Sequence, residues 1–132
     1  MAVVLDTCAW LWHSAEPEKL SAAAAEAIAR ERERGGLVVS VISCWEIGKL
    51  VEKGRLELSV PVREWIRTAL RGEGVVLHPL TPDLCADSVE LPGVFHGDPA
   101  DQIIVATARR ASSAVVTKDR RIIDYPHVPT IW

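Results

Sequence analysis

Four carboxylates lie far apart in a chain of 132 residues, at places where an alternating α/β fold would bring them together: Asp6, Glu46, Asp101 and Asp119. No histidine or cysteine stands at metal-ligand spacing to join them, so the group offers only hard oxygen donors. Such donors select Mg²⁺ or Mn²⁺. Crowded carboxylates repel one another, and a cation relieves that repulsion. Mg²⁺ takes one or two carboxylates directly and keeps several waters, which the remaining acids would hold. A cation held this way makes water a better nucleophile and offsets the negative charge that grows on a phosphate under attack. The chemistry implied is hydrolysis of a phosphodiester.

The strongest local signal for an element that positions these acids is the stretch from His96 to Arg110. Asp98 is a favoured N-cap, and Pro99 fits the first helical position, where its missing N–H has no partner to lose. Asp101 falls in the first turn, at the positive end of the helix dipole. Ile104, Val105 and Ala108 follow at helical spacing as a buried stripe. The helix therefore spans about Asp98 to Ala111.

The other elements follow from similar signals. Ala2 to Leu5 is apolar on both faces, which reads as a central strand of a parallel sheet with Asp6 at its carboxyl end. Leu37–Val39, Val75–His78 and Ala114–Thr117 read as the second to fourth strands, and Val128–Ile131 as a short fifth. Residues 8–12 make a short turn or helix. Leu20 to Arg34 reads as a helix stopped by Gly35-Gly36, with Leu20, Ala24, Ala27 and Ile28 inward and Glu26, Arg30, Glu31 and Arg34 on a solvated face. Further helices run from Ser40 or Ser43 to about Lys53, from Pro61 through Leu70, and from Thr81-Pro82 to about Val89. This alternation specifies a mostly parallel α/β sheet with right-handed crossovers. Ligands of such sheets bind beyond the carboxyl ends of the strands. Asp6 follows strand one, Glu46 lies on the helix after strand two, and Asp119 lies just past strand four. The helix opened by Asp101 runs antiparallel to the strands, which places its start at the same edge.

Length and composition fit one domain over residues 1–132. Apolar content of 48% and charged content of 25% are ordinary for a globular protein. A net charge of −3 does not describe a surface coated for nucleic acid, though a local basic rim would suffice. Lys49, Lys53, Arg55, Lys118, Arg120 and Arg121 are the candidates for such a rim. Cys8, Cys44 and Cys85 are scattered, with no C-x-x-C, which argues against a disulfide framework or a zinc knuckle and for a reducing, cytoplasmic setting. The opening residues lack the basic start and apolar length of a signal peptide. No run approaches the ~18 apolar residues of a membrane span.

Taken together, these residues resemble the PIN-domain family, and within it the VapC-type toxin ribonucleases of type II toxin–antitoxin modules. The matching blocks are Val4-Leu5-Asp6-Thr7, Ser43-Cys44-Trp45-Glu46-Ile47 with Lys49, His96-Gly97-Asp98-Pro99-Ala100-Asp101 with Ile104 and Ala106–Ala108, Thr117-Lys118-Asp119, and the ending Val128-Pro129-Thr130-Ile131-Trp132. The resemblance covers essentially the whole chain. It implies a three-layer α/β/α domain whose mostly parallel sheet has about five strands in the order 3-2-1-4-5. It also implies a Mg²⁺- or Mn²⁺-dependent endoribonuclease acting on RNA, homodimeric, and neutralised by a cognate VapB-type antitoxin. On that pattern Asp6 and Asp101 are the main metal ligands, Glu46 and Asp119 bind or orient water, and Thr7 and Thr117 support the acids by hydrogen bonds. The chain departs from its nearest subgroup at Ala100, where an aromatic residue is usual, and at Gln102, where Arg is usual.

Each acid also has a plainer role open to it. Asp98 fits the helix cap, which leaves any share in the site secondary. Asp101 could simply favour its helix dipole, and Asp119 could cap a turn before Ile122. Glu46 could complete a Ser43-x-x-Glu46 capping box or pair with Lys49. Cys8 and Cys44 read as small buried groups, since no histidine is placed to activate them. Trp10, Trp12, Trp45 and Trp65 read first as core or interface packing, with base stacking as the other use. Two other functions compete. A PIN-like domain that binds RNA or a protein without cutting would keep the fold and lose the chemistry. An aspartyl phosphotransferase or receiver-like module would use Asp6 as phosphoryl acceptor, but a haloacid-dehalogenase-like enzyme wants a second Asp where Cys8 stands, and a receiver wants its acceptor after a later strand.

Overall fold

Val3-Val4-Leu5 forms strand β1 (Val3–Leu5) in the middle of a five-stranded sheet, in a computed structural model that describes residues 2–132. Its neighbours are β2 (Leu37–Ser40) and β4 (Ala114–Val116), with β3 (Val75–His78) and β5 (Thr130–Ile131) at the edges. The order is β3-β2-β1-β4-β5 and every pairing is parallel, in agreement with the order the resemblance implied. Val4 sits opposite Val38 on one side and Val115 on the other, so the three central strands are level and end together.

Side chains of the strands alternate between two apolar layers, as the pleat requires. Val3, Leu5, Leu37, Val39 and Val116 face one layer, built from helices α1 (Thr7–Ala15), α2 (Ala22–Glu33), α3 (Val41–Glu52) and α4 (Val62–Leu70). Val4 and Val115 face the other, where Ile104, Val105 and Ala108 of helix α6 (Pro99–Arg110) meet Ile122 of the short helix α7 (Arg120–Ile123). Helix α5 (Pro82–Val89) packs outside α6 through Leu84, against Ile103 and Ala106. Both faces of the central strands are thus covered, which is why Val3–Leu5, Leu37–Val39 and Ala114–Val116 are apolar; at the β3 edge Val76 and Leu77 stay exposed.

The caps explain where the helices start. Ser40, at the end of β2, accepts a hydrogen bond from the Ile42 N–H and caps α3, leaving Ser43 one turn inside the helix. Ser21 caps α2, which begins at Ala22; the residues before it form a 3₁₀ turn over Pro17–Lys19. Helix α2 ends at Glu33 with Arg34 as its C-cap, and the chain turns away at Gly35, whose positive φ of 69° suits glycine. One expectation for this helix is overturned: Glu31 is buried, not solvated. Arg30 and Arg34 reach its carboxylate at 3.2 and 3.7 Å, and Gly36 leaves it room at the amino end of the sheet. A buried acid in an alternating Glu/Arg run is tolerated because its neighbours along the helix supply the compensating charge.

Candidate active site

Because β1, β2 and β4 end level, the segments that leave them meet at the carboxyl edge. Asp6 comes directly after β1 and is 6% exposed. It caps α1: its Oδ1 accepts from the Ala9 N–H at 2.8 Å, and its Oδ2 accepts from the Thr117 hydroxyl at 2.5 Å. Thr117, just past β4 and fully buried, also accepts from the Asp119 N–H at 3.0 Å. One hydroxyl therefore ties the loop after β4 to the carboxylate after β1. The burial of Asp6 pushes its carboxyl up, and nearby Asp119 adds to the push; the Thr117 and Ala9 bonds act the other way.

Glu46 projects from α3. Its Oε1 accepts a short hydrogen bond from the Thr7 hydroxyl, which lies 2.9 Å from the Ser43 hydroxyl. A hydroxyl has one proton; with Thr7 donating to Glu46, Ser43 donates to Thr7. Ser43 thus belongs to this network and not to a capping box. The i, i+3 spacing of Ser43 and Glu46, which puts both on one helical face, was the available signal. Burial raises the Glu46 carboxyl, with Asp98 and Asp6 contributing.

Asp98 caps α6, its Oδ1 accepting from the N–H groups of both Ala100 (3.0 Å) and Asp101 (3.2 Å). Asp101 sits in the first turn with its side chain 14% exposed. Burial, then Asp98, Asp119 and Glu46, push its carboxyl up to about 7, and Arg121 offsets only part of this. Asp119 behaves oppositely. Arg121 grips it with Nε and Nη2 at 3.3 and 3.0 Å and holds its carboxyl below the usual value. Asp119 also caps α7 through the Arg121 N–H. The same guanidinium stands 3.4 Å from Asp101, bridging two acids across the cleft.

His96, which opens the stretch leading into α6, places Nε2 3.2 Å from Asp101 Oδ2. The loop turns back on itself: the Asp98 N–H points at His96 Nδ1, and Gln102 donates to the His96 carbonyl at 3.1 Å. Cys8 is exposed at the rim, contrary to the expectation of burial. Partial desolvation and Asp6 push its thiol up to about 11, so it stays protonated and unreactive.

The result is a cleft of about 520 Å³ that Asp6, Glu46, Asp98, Asp101 and Asp119 all line, with Trp12, Leu11 and Leu50 as an apolar wall and Lys118 and Arg121 at the rim. Its donor set suits a hard divalent cation. The donors are carboxylate oxygens, and three of these acids are raised by burial and by one another. Among the described residues, no three Asp, Glu, His or Cys side chains are grouped closely enough to hold a metal by themselves. Mg²⁺ needs no such group, since it commonly takes one or two carboxylates and completes its shell with water.

Two substitutions separate support from scaffold. Thr117→Val keeps the shape but removes the hydroxyl between Asp6 and Asp119. Urea denaturation should register a loss of about 1–3 kcal/mol for the stranded buried groups. Asp98→Ala should cost about 0.5–2 kcal/mol as a lost cap and reduce activity only in part.

Comparison with known proteins agrees with this architecture. The sequence profile described as "PIN domain" matches residues 3–128. Ribonuclease VapC22 of Mycobacterium tuberculosis is 41% identical over 132 residues, covering 98% of both chains. Among solved structures, VapBC2 from Rickettsia felis bound to a promoter DNA fragment superposes with a TM-score of 0.72 at 14% identity, covering 98% of this chain and 97% of that one. A toxin–antitoxin complex from Klebsiella pneumoniae gives 0.63 at 18% identity, with 96% and 95% covered. FitAB bound to the IR36 DNA fragment gives 0.60 at 18%, with 97% and 92% covered. At such low identities the structural likenesses speak to the fold alone. The profile match and the full-length identity go further: this chain belongs to the PIN-domain family, in its VapC-type ribonuclease branch.

Proposed function

We propose that the protein is a divalent-metal-dependent endoribonuclease, the toxin of a toxin–antitoxin pair, and that Asp6, Glu46, Asp101 and Asp119 carry its chemistry. The observation behind this reading is the convergence of these four acids, distant in sequence, on one cleft at the carboxyl edge of the sheet. Asp6 and Asp101 are the ligands we assign to Mg²⁺ or Mn²⁺. When bound, the cation would activate water and neutralise charge on the phosphate.

The chain's own groups do the rest. Ala9 and Thr117 fix both oxygens of Asp6, and each oxygen keeps a second lone pair with which it could hold the cation. The Thr7 bond orients Glu46 to hold a water and take the proton it loses as its oxygen bonds to phosphorus. The phosphorus–oxygen bond to the ribose then breaks, and the leaving oxygen takes a proton from solvent water. Asp119, held by Arg121 and kept ionised, orients further water. The reading of Asp6 as a phosphoryl acceptor is disfavoured, because Cys8 stands where such an enzyme wants its second Asp.

The structural neighbours are toxin–antitoxin assemblies, which supports a cognate VapB-type antitoxin as partner. A homodimer and a cytoplasmic location complete the proposal. Among the described residues no helix is long and apolar enough to cross a membrane. The test is incubation of labelled single-stranded RNA with the purified protein. Cleavage with Mg²⁺ that stops in EDTA is the expected result; persistence in EDTA, or no cleavage with either Mg²⁺ or Mn²⁺, would overturn it.

A further inference from the structure

Helix α3 carries Glu46 into the acidic cleft and, one residue earlier, turns Trp45 into a second groove. This groove lies between α3 and the start of α6 and has a volume of about 530 Å³. It shares Glu46, Leu50 and Asp98 with the acidic cleft, so the two are continuous.

Trp45 is 58% exposed. The other indoles near the sheet have packing partners: Trp10 is fully buried with Trp65 edge-on at 5.2 Å, and Trp12 lies against Trp132 at 5.7 Å. The fold of the single chain gives no such use to Trp45, which leaves an interface or a stacked base, and not the core, as its place. Trp45, Lys49 and Lys53 recur every fourth residue, so they form one stripe along α3. The Lys49 Nζ stands 5.7 Å from the Trp45 ring and 3.0 Å from Glu52, an exposed pair that contributes little. Arg55 follows the turn at Gly54, where φ is 69°, and joins the same groove. Among the described residues, no acid lies at ion-pair distance from Lys53 or Arg55. An exposed aromatic face flanked by cations, opening onto a phosphate-cleaving cleft, matches the two parts of an unpaired nucleotide. The base offers a π-face and the backbone offers negative charge. Trp45 and Arg55 would also suit a protein partner; the two lysines, depleted from the cores of protein–protein interfaces, favour RNA.

We propose that this groove is a subsite for single-stranded RNA, in which Trp45 stacks an unpaired base and Lys49, Lys53 and Arg55 hold the flanking phosphates. The strand then passes Glu46 into the acidic cleft. This inference rests on the ribonuclease reading, and its test runs without metal so that the two fail separately.

The probe is a fluorescein-labelled single-stranded RNA of mixed sequence, about 12 nucleotides long to span such a site. Binding is followed by anisotropy in EDTA for the wild type, Trp45→Ala and Trp45→Phe. Trp45→Ala should weaken binding about tenfold or more, the loss expected for one stacked base, and Trp45→Phe should retain most of it. Lys53→Ala with Arg55→Ala should flatten the salt dependence by about 0.7 for each phosphate no longer neutralised. A duplex of the same sequence should bind Trp45→Ala and wild type alike. With Mg²⁺, Trp45→Ala should raise KM and spare kcat. Equal single-strand binding by wild type and Trp45→Ala would overturn the proposal and leave the nuclease reading standing. So would a change of oligomeric state in Trp45→Ala on sedimentation, which would make Trp45 a contact between copies.

Discussion

Asp101→Asn is expected to abolish RNA cleavage while making the metal-free protein more stable at neutral pH. The two effects share a cause. Asp101 is nearly buried, faces three other acids, and has its carboxyl pushed up to about 7. Holding that group ionised in the folded state is unfavourable, on the order of a few kcal/mol for a shift of this size. The amide keeps the side chain's shape and removes the charge, and with it that cost. It also removes a metal ligand, and losing one such preorganised group lowers kcat by about 10²–10³-fold or more. Denaturation in EDTA and single-turnover cleavage in Mg²⁺ read the two effects separately. A variant both less stable and inactive would show that Asp101 serves the fold first.

The second large effect is on pH. A carboxyl raised in the folded state binds its proton over a range where the unfolded chain has already released it. Between the ordinary value of 3.8 and about 7, the folded protein therefore holds more protons. Stability then falls as pH rises through this window, the reverse of the usual acid denaturation. Asp6 and Glu46 are raised by burial too and act in the same direction. Asp119 is lowered by Arg121; its contribution is present above its ordinary value and lost only as pH falls below that. In EDTA the urea midpoint of the wild type, relative to Asp101→Asn, should fall from pH 4 to pH 7 and level off above. Metal binding displaces the proton, so Mn²⁺ affinity should drop by up to about tenfold for each pH unit below neutrality. A flat difference between the two proteins would refute the burial of charge at Asp101.

Much of this was legible in the chain. The strand order came from resemblance, but the elements came from residues: Asp98-Pro99 and Thr81-Pro82 start helices α6 and α5 where the caps require, and Gly35 and Gly54 close α2 and α3. The edge where the acids gather followed from parallel strands and an antiparallel return helix. What remained hidden depends on tertiary approach. Arg121 reads as surface cation until α7 folds it between Asp119 and Asp101. His96 reads as loop until the Gln102 bond turns it toward Asp101. Glu31 reads as solvated because its compensating arginines sit on the same helix, and an i, i+3 pair looks alike whether exposed or buried. Trp45 differs from Trp10 only in which face of its helix it occupies, and composition carries no sign of that.

The central claim is that these acids form a metal-dependent ribonuclease centre, and Asp6 tests it most directly. Asp6→Asn keeps an oxygen to cap α1, so the fold should survive while the charge is lost. Wild type and Asp6→Asn, matched by circular dichroism, should be titrated with Mn²⁺ and then given the same single-stranded RNA with Mg²⁺. Wild type should bind the ion and cut the RNA, and the variant should do neither. Equal cleavage by the two proteins, or cleavage by the wild type undiminished in EDTA, would contradict the claim.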